Sequence, residues 1–369
     1  MIPNTLKKLV PAKHRLVFWL WAGLAYGLAV IVLLLIIKLL LSGKELTEQA
    51  IQFGQRATVY VESNVVEGNV RKNSVSKIID AKPTVGMNDS VIPSPLANAN
   101  ASVESSDSSL VEKSDKGMLP IISANGVQPW KYYARAYNPT NPNAKRPMVA
   151  IIFTNLGLSR PLTTEVLKLP RDFTLSFSPY ASDITRWATR AHEIGFESFI
   201  DLPMQDSAYP VSDPGPFGLL ENLNPNENGI RLHQVLGQFT GYVGTLAPVD
   251  EKLTADLDVL RPELTELASR GVLFLYVKTP QNAALADFAK SHSLYVLGID
   301  KVIDAEITRG AIDTQLQSLV DLAKTQGYAI GVAHSYPPTL EALAAWDETL
   351  NAQGVDLVPV SAIGKRVFP

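Results

Sequence analysis

The residues best suited to chemistry in this chain are acidic side chains and one histidine that follow short apolar runs. Asp201 lies in the run ESFIDL, Asp250 and Glu251 come after GYVGTL, and His334 comes after AIGVA. Carboxylates and an imidazole together can bind a hard divalent cation, which would activate water for hydrolysis. Asp201 and His334 are therefore candidate catalytic residues, and Asp201, Asp250 and His334 are candidate metal ligands.

Each candidate also has a structural interpretation. Asp250 and Glu251 can open a following helix, because negative charge is favourable at a helix N-terminus. His334 can hydrogen-bond the end of its strand and shape the turn before Pro337. The sequence alone leaves both interpretations open.

Other classes of site lack the residues that they require. The chain contains no cysteine, so disulfides, thiolate metal sites and thiol nucleophiles are excluded. No Gly-x-Ser-x-Gly elbow and no Gly-rich phosphate loop occur. The formal charge is only −3, and lysines and arginines are sparse beyond residue 45, so we expect no nucleic-acid partner.

The elements that must position these residues form an alternating pattern from Met148 onward. Short runs of β-branched and aromatic residues alternate with stretches of helical period, and continuous apolar runs are typical of parallel strands buried on both faces. The pattern predicts an α/β fold, either a (β/α) barrel or an open doubly wound sheet. In both architectures, functional residues lie at the C-terminal ends of the strands. Strands are predicted at 149–153, 173–178, 197–202, 241–246, 272–277, 294–299, 329–333 and 355–360, with helices at about 160–168, 182–194, 228–238, 251–269, 281–291, 311–325 and 339–352.

The N-terminal region predicts a membrane anchor. Leu16 to Ile37 carries no charge, and a helix of that length spans about 33 Å at ~1.5 Å per residue. A cleaved signal peptide is the alternative, but its apolar core is shorter and ends in a small-x-small site, which LLLSGKE lacks. Basic residues before the apolar run place residues 1–15 in the cytoplasm and the C-terminal region in the periplasm of a bacterial inner membrane.

The region between this anchor and the α/β domain changes composition. We predict a transmembrane helix at 16–41 and a disordered periplasmic linker at 42–117, where Ser, Asn, Asp and Glu replace apolar residues. Residues 118–147 are rich in aromatic residues and proline, which predicts a strap packed on the domain. The domain itself is predicted to cover 148–369.

Several segments between residues 118 and 363 also occur in a characteristic order: LPIISANGVQPWKYYAR, VAIIFTNLGLS, LSFSPYA, GFESFIDLPMQ, SDPGPFGLL, YVGTLAPVDEKLTAD, GVAHSYPPTLEAL and LVPVSAIGK. In this order they resemble a divergent polysaccharide deacetylase of the YibQ type, related to the NodB-like carbohydrate esterases. The resemblance implies a NodB-like irregular (β/α)7 barrel. It also implies that active members hold a divalent metal with one Asp and two His.

This chain departs from the pattern that the resemblance implies. Thr154 and Asn155 stand where the family has two adjacent aspartates, and Pro248 stands at the place of a metal-binding histidine. Around Leu-Pro-Met, Asp201 and Gln205 replace a histidine and a glutamate. Of the polar set of the family, only His334 is clearly retained.

These departures predict a catalytically inactive protein that binds an envelope glycan or a membrane or periplasmic protein partner. The predicted ligand cleft contains Thr154, Asn155, Tyr180, Gln205 and Tyr336. We expect no cofactor; a divalent metal such as zinc is needed only under the alternative of a metal-dependent glycan N-deacetylase with a rearranged site. A further alternative is an accessory structural subunit of a membrane complex, in which Gly23 and Gly27 form a Gly-x-x-x-Gly helix contact.

Overall fold

The computed structural model of the chain describes residues 108–137, 146–250 and 252–368. The predicted cytoplasmic tail, the predicted membrane helix and most of the predicted linker lie outside these residues. Within the described ranges, no helix is both long and apolar enough to cross a bilayer.

A parallel sheet forms the centre of the domain. Its strands are β3 (Met148–Leu156), β4 (Thr174–Phe177), β5 (Glu197–Asp201), β6 (Gly244–Leu246), β7 (Leu273–Val277), β8 (Tyr295–Ile299), β9 (Lys301–Val302) and β10 (Tyr328–Ala333). Their spatial order is β8-β7-β6-β5-β4-β3-β10-β9. Successive segments of the chain therefore lie side by side from β3 to β8.

The two ends of this sheet are one continuous piece of chain, because Asp300 alone separates β8 from β9. The Asp300 amide donates to the Ile330 carbonyl over 2.8 Å, and its Oδ2 accepts the Ile330 amide over 2.8 Å. Asp300 also forms an ion pair with Lys278, on the neighbouring side. The sheet thus curves into a nearly closed barrel, which confirms the predicted barrel rather than an open sheet.

Most helices pack around the barrel, and the sheet separates an outer apolar core from an inner one. The helices are α1 (Pro129–Tyr132), α2 (Arg160–Val166), α3 (Ile184–Ile194), α4 (Pro225–Leu236), α5 (Leu257–Ser269), α6 (Ala284–Ser291), α7 (Arg309–Gln326), α8 (Pro337–Leu350) and α9 (Val360–Val367). Along β3, Val149 and Ile151 belong to the outer core beneath the helices, whereas Ala150 and Ile152 belong to the core inside the barrel. Burial on both faces explains why the strand sequences are continuously apolar.

The last predicted strand, at 355–360, was assigned too long. Only β11 (Asp356–Leu357) forms there, and it pairs with β3. Pro359 then stands at the N-cap of α9, a helix that the sequence analysis did not predict. Proline has no amide hydrogen to continue the ladder, and its fixed φ suits the start of a helix.

Helix α9 and Trp130 fill the barrel at the N-terminal ends of the strands. Trp130 is fully buried within the inner core, and Gly364 of α9 lies against its ring. Glu197, also fully buried, accepts the Ser361 amide over 3.1 Å, the Thr174 hydroxyl over 3.2 Å and the Arg135 amide over 3.3 Å. One carboxylate therefore connects three elements: the start of α9, strand β4 and the segment after α1.

Residues 108–120 correct the predicted boundary of the linker, which was placed at 117. Strands β1 (Val111–Ser114) and β2 (Gly117–Pro120) form an antiparallel hairpin, and Leu110 and Leu119 are buried. Gly117 lies against Gly237, where a Cβ on either residue would meet backbone within 2.4 Å. The polar composition concealed this hairpin, because its packing depends on two leucines and a close approach of backbones.

Arg270 fastens the hairpin to the barrel. Its Nη1 donates to Glu112 over 3.0 Å and to the Pro120 carbonyl over 2.9 Å, and its Nε donates to Glu266 over 2.7 Å. Burial opposes ionisation of Glu266, but the hydrogen bond from His233 and the charge of Arg270 outweigh it and lower the pKa of Glu266.

Substitution of Arg270 with Met is expected to lower the free energy of unfolding by about 2 kcal/mol, because the Pro120 carbonyl and Glu266 lose a buried donor. Urea unfolding gives the loss, and amide hydrogen exchange should show increased exchange in 111–120. The exposed Arg190, changed to Met, is the matched control and should change stability little. Equal losses in both variants would contradict this role of Arg270.

Candidate functional site

A cavity of about 380 Å³ opens at the C-terminal ends of the barrel strands. Its walls are largely apolar, and its polar side chains lie at or after the ends of β3, β4, β5, β6 and β10. The lining includes Thr154, Asn155, Ser178, Tyr180, Asp201, Met204, Asp206, Leu246, Pro248, Asp250, Val277, Ile299, Val332 and His334. Parallel strands present their final residues at one edge, so this is where the fold places a site.

Asp201 lies at the floor of the cavity, at the end of β5. Its Oδ1 accepts hydrogen bonds from the Thr154 hydroxyl at 3.0 Å and the Ser176 hydroxyl at 2.5 Å, and its Oδ2 accepts the Asn155 amide at 2.8 Å. The residue is only 8% exposed. Burial raises the pKa of Asp201, although these donors and the nearby His334 favour its charged form.

The backbone at Asn155 is shaped to reach this carboxylate. The register between β3 and β4 shifts between Phe153 and Leu156, and Asn155 has a φ of 59°. Asparagine tolerates this left-handed conformation better than most residues. The irregularity directs the Asn155 amide to Asp201, while its side chain is exposed.

His334 forms a second polar group, together with a buried aspartate. Its Nδ1 lies 2.9 Å from Asp304 Oδ1, and its amide donates to Asp304 Oδ2 at 2.7 Å. The Thr339 hydroxyl donates to the same Oδ2 at 2.9 Å, and Asp304 is only 3% exposed. A carboxylate accepts hydrogen bonds, so Nδ1 carries a proton that it donates to Asp304.

The other predicted site residues divide into two groups. Thr154, Asn155, Tyr180 and Asp250 line the cavity with Asp201 and His334. Gln205 does not line it; it is buried and pairs with Glu221 through two hydrogen bonds of 3.1 and 3.2 Å. Tyr336 also lies outside the lining, but its ring stacks on His334 at 5.3 Å between centroids.

The sequence analysis missed the partners that hold these residues. Asp304 and Thr339 orient His334, and Ser176 holds Asp201; they lie in the turn after β9, in α8 and in β4, and no local motif marks them. Asp304 follows the predicted strand at 294–299, but nothing in the sequence pairs it with His334. Phe217 was also missed; it stacks on Tyr180 at 5.2 Å with an interplanar angle of 8°.

The residues present do not fit the divalent metal that the family resemblance implies. Such an ion requires several donors that converge on one point. Among residues 108–137, 146–250 and 252–368, no three His, Asp, Glu or Cys side chains converge in this way. Pro248 offers no side-chain donor, and the Asp201 oxygens already accept three hydrogen bonds.

Comparisons with known proteins place this barrel in a family. Residues 151–363 match the family model described as divergent polysaccharide deacetylase. The chain belongs to the divergent polysaccharide deacetylase family. The curated protein YibQ of Escherichia coli shares 22% identity over 200 residues, which is 53% of this chain and 60% of YibQ. The match therefore spans less than two thirds of that family member.

Solved structures include a related fold. The crystal structure of an uncharacterized protein from Agrobacterium tumefaciens has 30% identity and a TM-score of 0.63, covering 67% of this chain and 99% of that one. A pseudoenzyme of the CE4 family from Bacillus anthracis has 14% identity and a TM-score of 0.34, covering 69% of this chain and 77% of that one. The second likeness is too distant to carry an argument about this member of the family.

Replacing Asp304 with Ala is expected to lower the free energy of unfolding by about 2 kcal/mol, because the Thr339 hydroxyl and two N–H groups of His334 lose their buried acceptor. Denaturant unfolding measures the loss. Asp313→Ala, on the exposed face of α7, is the control and should cost little. A loss no greater than that of the control would show that Asp304 does not hold His334.

Proposed function

We propose that this family member binds an envelope glycan in the barrel cavity without hydrolysing it. The observation that carries the proposal concerns Asp201. Its carboxylate faces the cavity, yet it accepts hydrogen bonds from neutral donors of the barrel, and no metal-binding set surrounds it among the residues that the structure describes. The family resemblance implies that active members use a divalent metal to activate water. The cavity keeps a shape and walls suited to a ligand but lacks the donors for that step.

The rim supports a saccharide ligand. Tyr180 is 36% exposed, and its ring is stacked on Phe217. Its hydroxyl donates to the Pro214 carbonyl over 2.6 Å and accepts the Phe217 amide over 3.1 Å, which fixes the loop around it. Rigid, partly exposed aromatic rings beside polar groups are suited to the apolar face and hydroxyls of a sugar.

Membrane anchoring is part of the proposal. Leu16 to Ile37 would hold the chain in a bacterial inner membrane, with the domain in the periplasm. Protease treatment of intact cells and of spheroplasts tests this orientation. Digestion of the domain is expected only after the outer membrane is opened; protection in spheroplasts would place the domain in the cytoplasm.

Measurements of bound metal and of acetate release test whether the protein hydrolyses a glycan. The full-length chain is dialysed against zinc, cobalt or nickel, bound metal is measured, and release of acetate from an N-acetylated glycan is assayed in parallel. We expect less than one tightly bound ion per chain and no acetate release. One tightly bound ion per chain that disappears in both Asp201→Ala and His334→Ala would contradict the proposal.

A second candidate is a hydrolase with a rearranged site, and the His334–Asp304 pair favours it. A histidine oriented by a buried carboxylate is the arrangement of a general acid or base. If the protein releases acetate, His334→Ala should abolish the activity. An active protein that His334→Ala does not affect would exclude this mechanism.

A further inference from the structure

Among the described residues, the buried carboxylate of Asp201 accepts no hydrogen bond from a lysine or an arginine and forms no ion pair with one. Its three hydrogen-bond donors, two hydroxyls and one backbone amide, are all neutral. Within the described part of the chain, the ion pairs formed by lysine and arginine do not include it. The proton on His334 Nδ1 is directed to Asp304. A buried carboxylate without a cation is costly, and a positively charged ligand would relieve that cost.

The remaining charges of the cavity have the same sign. Asp206 and Asp250 also line it, and no lysine or arginine does among the residues that the structure describes. Asp206 accepts the Ala208 amide, and Asp250 accepts the amides of Ser207 and Lys252, so neither is neutralised by these contacts. Carboxylates within apolar walls concentrate a negative potential, which attracts cations.

The arrangement suits an ammonium group better than a metal ion. The carboxylates do not converge on one point, as a coordinated metal requires. An ammonium has three separate N–H donors and tolerates acceptors spread around it. The imidazole of His334 also lines the cavity, and Tyr180 provides a ring for the body of the ligand.

We propose that the cavity selects a de-N-acetylated amino sugar, a saccharide with a free amino group, and that the ammonium of this sugar faces Asp201. This inference rests on the proposed glycan-binding function. An N-acetyl group would place an uncharged amide and a methyl group beside the carboxylate instead. The lysine side chain of a protein carries the same charge without a sugar ring, and the experiment distinguishes the two ligands.

The test is isothermal titration calorimetry of the full-length chain in detergent micelles, at a pH where the sugar amine is protonated. The titrants are the tetramer of β-1,4-linked glucosamine, the tetramer of N-acetylglucosamine, and tetralysine. We expect the glucosamine tetramer to bind at least tenfold more tightly than either of the others. Equal or tighter binding of tetralysine would show that charge alone is recognised and would overturn the proposal.

Variants locate the recognised charge. Asp201→Asn keeps the side-chain shape. The new side-chain oxygen can accept the backbone N–H of Asn155, and the new side-chain NH2 group can donate to the hydroxyls of Thr154 and Ser176. The substitution should weaken binding of the glucosamine tetramer at least tenfold. Glu193→Gln removes the same charge at the exposed end of α3, at the opposite end of the barrel, and should leave binding unchanged. Equal losses in the two variants would overturn the proposal.

Asp250→Asn is the second variant, used if Asp201→Asn does not fold as judged by circular dichroism. It should weaken binding severalfold, and unchanged binding would count against the proposal. The outcomes also separate the two claims. If the N-acetylated tetramer binds as tightly or more tightly, the glycan-binding function stands and the preference for an amine is wrong. If neither saccharide binds, both are wrong.

Discussion

Substitution of Glu197 with Ala is expected to lower the free energy of unfolding by about 3 kcal/mol. The change leaves the Ser361 and Arg135 amides and the Thr174 hydroxyl without their acceptor in a fully buried place. Removal of a buried charge offsets part of this cost, since burial raises the pKa of Glu197 and disfavours its ionised form. These donors belong to α9, β4 and the segment after α1. The substitution should therefore destabilise the whole domain and not one element alone.

Urea unfolding, followed by circular dichroism and tryptophan fluorescence, measures the effect. Glu197→Gln retains one oxygen that accepts hydrogen bonds, but its NH2 group then faces donors that the second oxygen accepted. The stability of this variant should therefore lie between those of the wild type and Glu197→Ala. Glu193→Ala is the control, because its side chain is 57% exposed and its ion pair with Arg190 is solvated. If alanine at 197 costs no more than alanine at 193, Glu197 does not hold the base of the barrel.

Substitution of Glu263 with Leu is expected to raise the free energy of unfolding by about 3 kcal/mol at pH 8 and by much less at pH 4. Glu263 lies in α5, is 2% exposed, and neither carboxylate oxygen has a hydrogen-bond partner among the described residues. Burial raises the pKa of Glu263 to about 7 from 4.5. A difference of that size corresponds to about 3 kcal/mol at 1.36 kcal/mol per pKa unit.

The sign follows from proton binding. Below pH 4.5, Glu263 is mostly protonated in both the folded and the unfolded chain, so it does not reduce the free energy of unfolding by ionising. Between pH 4.5 and about 7, the unfolded chain releases the proton and the folded chain retains it, so the wild-type protein loses stability as the pH rises. Thermal unfolding from pH 4 to 8 should show this loss of stability, and the loss should be smaller in the Leu variant, which keeps the other buried carboxyl groups. An identical slope in both proteins would exclude Glu263 as its source.

The sequence predicted the elements of the barrel well because their signals are local. Continuous apolar runs indicated parallel strands, and Gly195 and Gly327 end α3 and α7 in the left-handed conformation that glycine adopts readily. The errors concern features that depend on distant partners. Helix α9 follows a run that resembles a strand, and the hairpin at 111–120 is polar except where it meets the barrel.

The site was predictable only in part, for the same reason. Asp201, Asp250 and His334 were found because strand ends meet at one edge of a parallel barrel. Their environments were not found, since Ser176 lies 25 residues from Asp201 and Asp304 lies 30 residues from His334. Whether a carboxylate is free to bind an ion depends on such partners. Residue type alone therefore suggested a metal site that the contacts of the described residues do not provide.

The hairpin has a mechanical consequence. It packs against Gly237 and Arg270, which precede β6 and β7, so the chain joins the barrel at the end opposite the cavity. Tension transmitted from residues before Ser108 would first load the hydrogen bonds of the hairpin and the Arg270 side chain. The loops around the opening would bear none of that tension directly, so their geometry should persist while the chain is under strain.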